Sequence, residues 1–356
     1  MKNTFLILVL LVSFCSIFAQ NNNTKPRNII LMIGDGMGTA QVFSGIAASK
    51  DKLNIEQFPV AGFSKTQSWS NYITDSGAGG TAIAIGKKTY NGAIGVDKDT
   101  VACKSILERA EEHGKSTAMV VTSQMTHATP ASFIAHQASR KMTEAIALDF
   151  LKTDIDVFVG GGKSDFAKRK DNLNLIDSLT ARKYKIAYTI DDVKNTKSGK
   201  LAGFLADDKL DPVFKGRTDV LAQSTEVAIN IIKQNEKGFF MMVEGSQIDW
   251  GGHANDENYV VSEVLDFDKA VGKALEFAIK DGNTLVIVTA DHETGGMTVS
   301  GSDKDKIQVK ASFTSKDHTA VMVPVFAYGP GAENFGGIYE NTAIFDKMME
   351  AFGFEK

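Results

Sequence analysis

Short apolar runs alternate with longer amphipathic stretches along most of the chain. The first run, residues 28–33 (NIILMI), is too short for a buried helix and stops at a Gly-Asp-Gly sequence, as a buried strand ending in a loop does. Similar runs stop at polar residues or glycine at 116–122, 157–160, 239–243, 284–289 and 321–328. Apolar residues at steps of three and four predict a helix packed on a sheet at Val260, Val264, Phe267, Val271, Ala274 and Ala278. The alternation predicts an α/β fold with a mostly parallel central sheet.

The N-terminus has the layout of a secretory signal. Lys2 precedes an apolar run over residues 5–18, and Ala19 supplies a small residue for cleavage. A transmembrane anchor is the alternative, but the run is short for a bilayer span and polar residues interrupt it. Cys15 has no small residue before it, so we expect no lipidation. We therefore expect a signal peptide over 1–19 and a periplasmic or secreted protein with no stable membrane anchor after cleavage.

Composition limits the classes of protein to which residues 20–356 can belong. The 43% hydrophobic and 23% charged residues are those of a folded protein, and a net charge of −4 offers no footprint for binding a nucleic-acid backbone. After signal cleavage Cys103 is the one remaining cysteine, which excludes an internal disulfide. We see no interdomain linker over 20–356 and expect a single domain. Residues 163–216 are polar and weakly patterned, and we expect them to form a peripheral insertion.

Histidines and acidic residues gather where the predicted strands stop, which is where open α/β sheets bind ligands. Separately, each motif has a plainer interpretation as a turn, a capped helix or a surface histidine. Together they indicate metal chemistry, because imidazole with carboxylate suits zinc and oxygen ligands suit magnesium. They divide into Asp249, His253 and His318 for one zinc, Asp35, Asp291 and His292 for a second, and Asp35, Glu244 and Thr129 for a magnesium. Two metal ions roughly 3.5–4 Å apart can stabilise both oxygens of a phosphoryl transfer.

A nucleophile and an anion clamp complete the candidate chemistry. Ser76 lies in the small-residue stretch 74–82 (TDSGAGGTA) and opens an apolar helical segment, and helix N-termini bind anions. A metal ion at the serine would stabilise its alkoxide. The alternative is that Ser76 or Asp75 only caps the helix. Arg140 can offer two parallel donors to a phosphate group, although alone it could equally be a solvated charge.

At these residues the sequence resembles the alkaline phosphatase family, over nearly all of residues 20–356. The matching stretches are 28–38 (NIILMIGDGMG), 74–97 (TDSGAGGTAIAIGKKTYNGAIGVD), 127–141 (HATPASFIAHQASRK), 243–253 (VEGSQIDWGGH), 289–292 (TADH) and 326–330 (FAYGP). The resemblance implies a three-layer sandwich, a homodimer, two zinc ions and one magnesium ion, and hydrolysis of phosphate monoesters of broad range. It also implies that Ser76 carries a phosphoserine intermediate and that Arg140 holds the phosphate.

Two departures from the best-known bacterial member resemble cold-active and marine members. His127 stands where that enzyme has an aspartate, and Trp250 stands where it has a lysine. The change removes a cation that would contact phosphate through water and places an imidazole beside the magnesium site, where it could instead bind a third zinc. We therefore expect Trp250 at the substrate, weaker holding of product and a more alkaline optimum.

Other activities remain as alternatives to compare. A sulfatase would need a formylglycine motif, and no Cys-x-Pro-x-Arg is present in the chain. Phosphodiesterases of related fold commonly use threonine and lack the arginine clamp, so Ser76 with Arg140 favours monoesters. A secreted protein that only sequesters phosphate is disfavoured by a complete set of ligands plus a nucleophile.

Overall fold

The computed structural model describes residues 25–303 and 308–355. The expected signal peptide, residues 1–19, lies outside the described residues. No helix in the described ranges is long and apolar enough to cross a membrane.

Strands and helices alternate along the chain as the sequence predicts. The strands are β1 (Asn28–Gly34), β2 (Val60–Lys65), β3 (Ser116–Gln124), β4 (Val157–Gly161), β5 (Tyr184–Ala187), β6 (Lys200–Phe204), β7 (Phe239–Gly245), β8 (Thr284–Thr289), β9 (Glu293–Thr294), β10 (Met297–Asp303), β11 (Gln308–Phe313), β12 (His318–Thr319), β13 (Val323–Tyr328) and β14 (Gly337–Glu340). The helices are α1 (Thr39–Ala48), α2 (Ser76–Ile85), α3 (Ile106–Glu112), α4 (Ala128–Ala131), α5 (Thr143–Asp149), α6 (Lys163–Ala167), α7 (Leu175–Ala181), α8 (Ile190–Lys194), α9 (Val220–Ile232), α10 (Gln247–Ala254), α11 (Glu257–Asp281) and α12 (Thr342–Phe352). Short 3₁₀ turns lie at Asn54–Gln57, Val213–Lys215 and Ala332–Phe335.

Ten of these strands form one sheet in the order β14-β2-β13-β8-β1-β7-β3-β4-β6-β5. Strand β13 runs antiparallel to both of its neighbours, and the other pairings are parallel. Strands β8, β1, β7 and β3 are therefore central and parallel. The carboxyl ends of these four strands lie side by side, and the candidate site residues directly follow them in the chain.

Alternate residues of β1 enter opposite layers, because successive side chains of a strand point to opposite faces. Ile29, Leu31 and Ile33 pack in the core that contains α2, α3 and α12. Ile30 and Met32 pack in the core that contains α1, α9 and α11. The six apolar positions that predicted the long helix are all buried in α11. The predicted three-layer sandwich with a mostly parallel sheet is confirmed.

Residues 163–216 lie at one edge of the sheet. They contain α6, α7 and α8 together with β5 and β6, and these two strands continue the central sheet beyond β4. The segment therefore supplies part of the sheet itself. Strand β5 is the edge strand, whereas β6 lies between β4 and β5 and is largely buried.

Candidate active site

Three acidic residues and a histidine lie close together at the carboxyl ends of the central strands. Asp35 directly follows β1, Glu244 lies near the end of β7, and Asp291 and His292 follow β8. All four side chains are fully buried. Buried carboxylates need donors or cations, so their surroundings determine what the site can bind.

A first group joins Asp249 of α10, His253 one turn later and His318 of β12. The Nε2 atoms of His253 and His318 lie 3.3 and 3.4 Å from Oδ1 of Asp249 and 3.2 Å from each other. The Nδ1 atoms face backbone carbonyls, that of Lys316 for His253 and that of Thr74, at 2.9 Å, for His318. Because Nδ1 donates to a carbonyl, Nε2 is left as a lone-pair donor to a shared ion.

A second group surrounds Nε2 of His292. That atom lies 3.4 Å from Oδ1 of Asp35, 3.3 Å from Oδ2 of Asp291 and 3.2 Å from the hydroxyl oxygen of Ser76. Asp249 also offers a ligand atom within 4.8 Å of those of Asp35 and His292, so it lies between the first two groups. The structure thus brings together all the residues predicted for the two zinc sites.

A third group lies on the other side of Asp35. The hydroxyl of Thr129 donates to Oδ2 of Asp35 over 3.4 Å. His127 and Glu244 offer ligand atoms within 4.8 Å of those of Asp35. The residues predicted for magnesium therefore meet, and His127 meets them as well.

The acid cluster has oxygens that lack donors. Asp35 Oδ1, Glu244 Oε1 and Asp291 Oδ2 are buried without a hydrogen-bond partner, as is His127 Nδ1. Unpartnered buried acceptors are costly in a protein interior, and a cation satisfies them. The donor set therefore fits bound divalent metal ions, with imidazole and carboxylate in two groups and mainly oxygen in the third.

The close packing of buried carboxyl groups also shifts their pKa values. Burial and the neighbouring carboxylates hold the pKa of Asp35 well above its usual range. Burial raises the pKa of Glu244 to about 8 and that of Asp291 to about 6. Asp249 is the exception, because hydrogen bonds from His253 and His318 overcome burial and hold its pKa well below the usual range. Positive charge in the site would favour the ionised form of the other three acids.

Asp75 organises the anion-binding end of the site. Its Oδ1 accepts from the backbone N–H of Ala78 and caps α2, while its Oδ2 accepts from Arg140 Nη1 at 2.9 Å. Of the two alternatives for the cap, Asp75 takes the role and Ser76 is the first residue inside the helix. The Ser76 hydroxyl is thus free to face His292.

His127 contacts both Arg140 and Trp250 beside the acid cluster. Arg140 Nη2 lies 3.3 Å from His127 Nε2, and the His127 and Trp250 rings meet edge to face with centres 6.0 Å apart. Burial, with the Arg140 charge, lowers the pKa of His127 to about 4. A neutral imidazole can bind a metal ion, in keeping with the alternative ligand role predicted for it.

Several supporting contacts were not predicted from the sequence. The hydroxyls of Ser123 and Ser246 donate to Glu244 Oε2, and that of Thr294 donates to Asp249 and lies 3.2 Å from His292 Nδ1. Isolated hydroxyl residues carry no distinctive sequence signal. Ser246 and Thr294 each lie two residues from a predicted ligand, and Ser123 lies near the end of β3.

An α/β sheet that gathers carboxylates, imidazoles and a serine hydroxyl at one edge defines a metal-dependent hydrolase. The chain belongs to the alkaline phosphatase family, whose model matches residues 26–309 and 300–354. The protein is therefore a hydrolase of phosphate monoesters, and the resemblance drawn from the motifs is confirmed.

Individual relatives cover almost the whole chain. Alkaline phosphatase 4 of Bacillus subtilis (strain 168) is 38% identical over 91% of this chain and 88% of its own length. The solved alkaline phosphatase of the Antarctic bacterium TAB5 is 43% identical, with a TM-score of 0.88 over 93% of this chain and 99% of that one. A variant of the latter, with histidine changed to aspartate, is described with Mg bound in the M3 site. The cold-active enzyme of a Shewanella species is 30% identical, with a TM-score of 0.85 over 91% of this chain and 99% of that one.

Proposed function

We propose that this chain hydrolyses a broad range of phosphate monoesters through a phosphoserine at Ser76. The observation that carries the proposal is the position of the Ser76 hydroxyl. It lies at the N-terminus of α2, 3.2 Å from His292 Nε2 and among carboxylate oxygens that lack donors. A helix N-terminus favours an anionic phosphoryl group at this point.

Two zinc ions and one magnesium ion fit the three groups of side chains. Asp249, His253 and His318 would hold one zinc ion, and Asp35, Asp291 and His292 the second. The magnesium ion would take Asp35, Glu244 and Thr129, with His127 beside it or in place of a ligand. Bound cations would supply positive charge that stabilises the ionised serine and the oxygens of the transferred group.

The side chains of the site divide the remaining work. Arg140, fixed by Asp75, presents its guanidinium to the phosphoryl oxygens, and Trp250 borders the space beside them. The Ser76 oxygen forms a bond to phosphorus as the bond to the alcohol oxygen breaks, and the alcohol departs. Water then attacks phosphorus, which releases inorganic phosphate and returns the serine. Broad specificity follows because these contacts involve the phosphoryl group that all such substrates share.

Replacement of the nucleophile tests this assignment. A Ser76→Ala variant should still bind inorganic phosphate, yet lose most turnover of p-nitrophenyl phosphate and give no acid-stable phosphoenzyme. Ser44→Ala is a matched control, because that buried hydroxyl donates to the Gln41 carbonyl within α1. Full turnover in Ser76→Ala, or a phosphoserine trapped at another residue, would remove Ser76 from the role.

Metal content and assembly need separate measurements. Elemental analysis of the active protein should find two zinc ions and one magnesium ion per chain, whereas three zinc ions would place zinc at His127. We further propose a homodimer in the periplasm or medium, released from its signal near Ala19. Light scattering and N-terminal sequencing of the exported protein test these points, and a monomer or a retained leader would contradict them.

A further inference from the structure

One carboxylate of the segment 163–216 contacts two other parts of the chain. Asp165 lies in α6, and each of its two oxygens accepts a hydrogen bond from a threonine hydroxyl. Oδ2 accepts from Thr126, which follows β3, and Oδ1 accepts from Thr143 over 3.0 Å. Thr143 is the first residue of α5. The side chain of Asp165 therefore bridges the loop after β3 and the start of α5.

Both bridged segments carry a residue of the candidate active site. Thr126 directly precedes His127, and Thr143 is the third residue after Arg140. Arg140 Nη2 lies 3.3 Å from His127 Nε2. The two segments thus meet once through His127 and Arg140 and a second time through Asp165.

The bridge is built into the packing of α6 against α5. Thr126 is buried, and a buried hydroxyl without an acceptor is costly, so Asp165 satisfies a group that water does not reach. The buried Arg169 joins the same two helices, because its Nη1 atom donates to the carbonyl of Glu144 at 2.6 Å and to that of Asp165 at 3.2 Å. Asp165 is therefore held in place by its backbone as well as by its side chain.

The other contacts of Arg140 lie on a different side of the residue. Its backbone N–H donates to the Gly92 carbonyl at 2.7 Å, and its Nη1 atom donates to Asp75 at 2.9 Å. Those contacts fix the guanidinium relative to the N-terminus of α2. The chain that follows Arg140 is fixed by the separate contact between Thr143 and Asp165.

We propose that Asp165 is a positioning residue for phosphate binding. By bridging Thr126 and Thr143 it sets the distance between His127 and Arg140, and so the fit of the guanidinium to the phosphoryl group. The proposal rests on the proposed function, since it assumes that Arg140 holds that group. Asp165 acts through the two threonines and takes no part in bond breaking.

Calorimetric titration of the metal-loaded protein with inorganic phosphate tests the proposal without turnover. Asp165→Ala removes both acceptors at once. A displacement of about 1 Å can cost about 100-fold, but Asp75 still holds the guanidinium, so we expect losses of about tenfold in phosphate affinity and in kcat/KM for p-nitrophenyl phosphate. Asp192→Ala should leave both unchanged. It is the matched control, because Asp192 accepts from the Thr189 hydroxyl at 2.8 Å in α8 of the same segment.

Two further variants distinguish a bridge from a charge. Asp165→Asn should keep most of the phosphate affinity, because an amide oxygen accepts from one threonine and the amide NH₂ group donates to the hydroxyl oxygen of the other. Thr143→Val removes only the bond on the Arg140 side and should weaken phosphate binding. Its addition to Asp165→Ala should cause no further loss, since both changes remove the same bond.

Each outcome has a defined meaning. Unchanged phosphate affinity in Asp165→Ala would overturn the proposal, whatever its melting temperature, because Asp165 would then have a structural role alone. Affinity as weak in Asp165→Asn as in Asp165→Ala would also overturn it, by assigning the effect to charge. If Asp165→Ala does not fold, unchanged affinity in Thr143→Val overturns it instead. A parent enzyme that binds phosphate but does not hydrolyse p-nitrophenyl phosphate would contradict the proposed function.

Discussion

Removal of divalent cations should make the fold lose stability as pH rises from 6.5 to 8. Glu244 contributes to this loss, because burial raises its pKa in the metal-free chain from 4.5 to about 8. In the unfolded chain this acid has lost its proton by pH 6.5, whereas the folded chain still holds it. Folding therefore binds a proton in this window, and stability falls as pH rises towards the folded pKa.

The size of the effect follows from the width of the window. Each pH unit is worth about 1.4 kcal/mol for one group, so Glu244 alone should remove on the order of 2 kcal/mol of unfolding free energy between pH 6.5 and 8. His253 acts in the same direction, because its hydrogen bond with Asp249 raises its pKa to about 9 and that gain is lost as the ring deprotonates. Bound cations should largely abolish the loss from Glu244, because they favour the ionised carboxylate throughout.

Urea denaturation of chelated and metal-loaded protein at several pH values measures this directly. Chelated Glu244→Gln should show a shallower decline than the chelated parent and should be the more stable of the two at pH 9. Glu293→Gln is a matched control, since Glu293 is a buried glutamate that accepts backbone hydrogen bonds from Gly296 and Met297. Parallel declines for the chelated parent and Glu244→Gln would refute the reasoning.

Three further changes give separate outcomes. Gly79→Ala should lower activity even though alanine favours a helix by about 1 kcal/mol, because its Cβ would lie 2.8 Å from the Asp291 carbonyl; unchanged kcat/KM would contradict this. Arg217→Met should destabilise the fold by about 3–5 kcal/mol in thermal unfolding, because it leaves the buried carboxylates of Glu263 and Asp266 without their cation; a melting temperature within a degree of the parent would argue against it. His127→Asp should bind its magnesium ion more tightly, so that a lower free magnesium concentration half-saturates the protein in a titration, because a carboxylate suits magnesium better than imidazole does; an unchanged midpoint would count against the third group as its site.

The sequence predicted the sheet and the clustering of the candidate metal-binding residues for the same physical reason. Apolar runs must be buried, and their polar ends at Asp35, Glu244 and Asp291 meet because central parallel strands finish at one edge. Contacts that depend on tertiary geometry could not be predicted from the sequence. Lys209 Nζ lies 4.0 Å from the centre of the Trp250 ring, yet no sequence pattern connects the two residues. The loop after β6 is held beside α10 by a hydrogen bond from Gln247 Nε2 to the Leu210 carbonyl. Likewise, the sharing of Asp249 between two groups of ligands depends on distances that spacing along the chain does not fix.

The contacts of Asp75 have an evolutionary consequence. One carboxylate caps α2 through Ala78, accepts from the N–H of Gly92 and fixes Arg140. Position 76 has no such structural duty, so under the role proposed for Ser76 a mutation there silences catalysis while the protein still folds. A mutation at position 75 is pleiotropic, because it loosens a helix and releases the arginine together. Drift should therefore produce well-folded inactive descendants through position 76, and selection for folding alone should still retain Asp75.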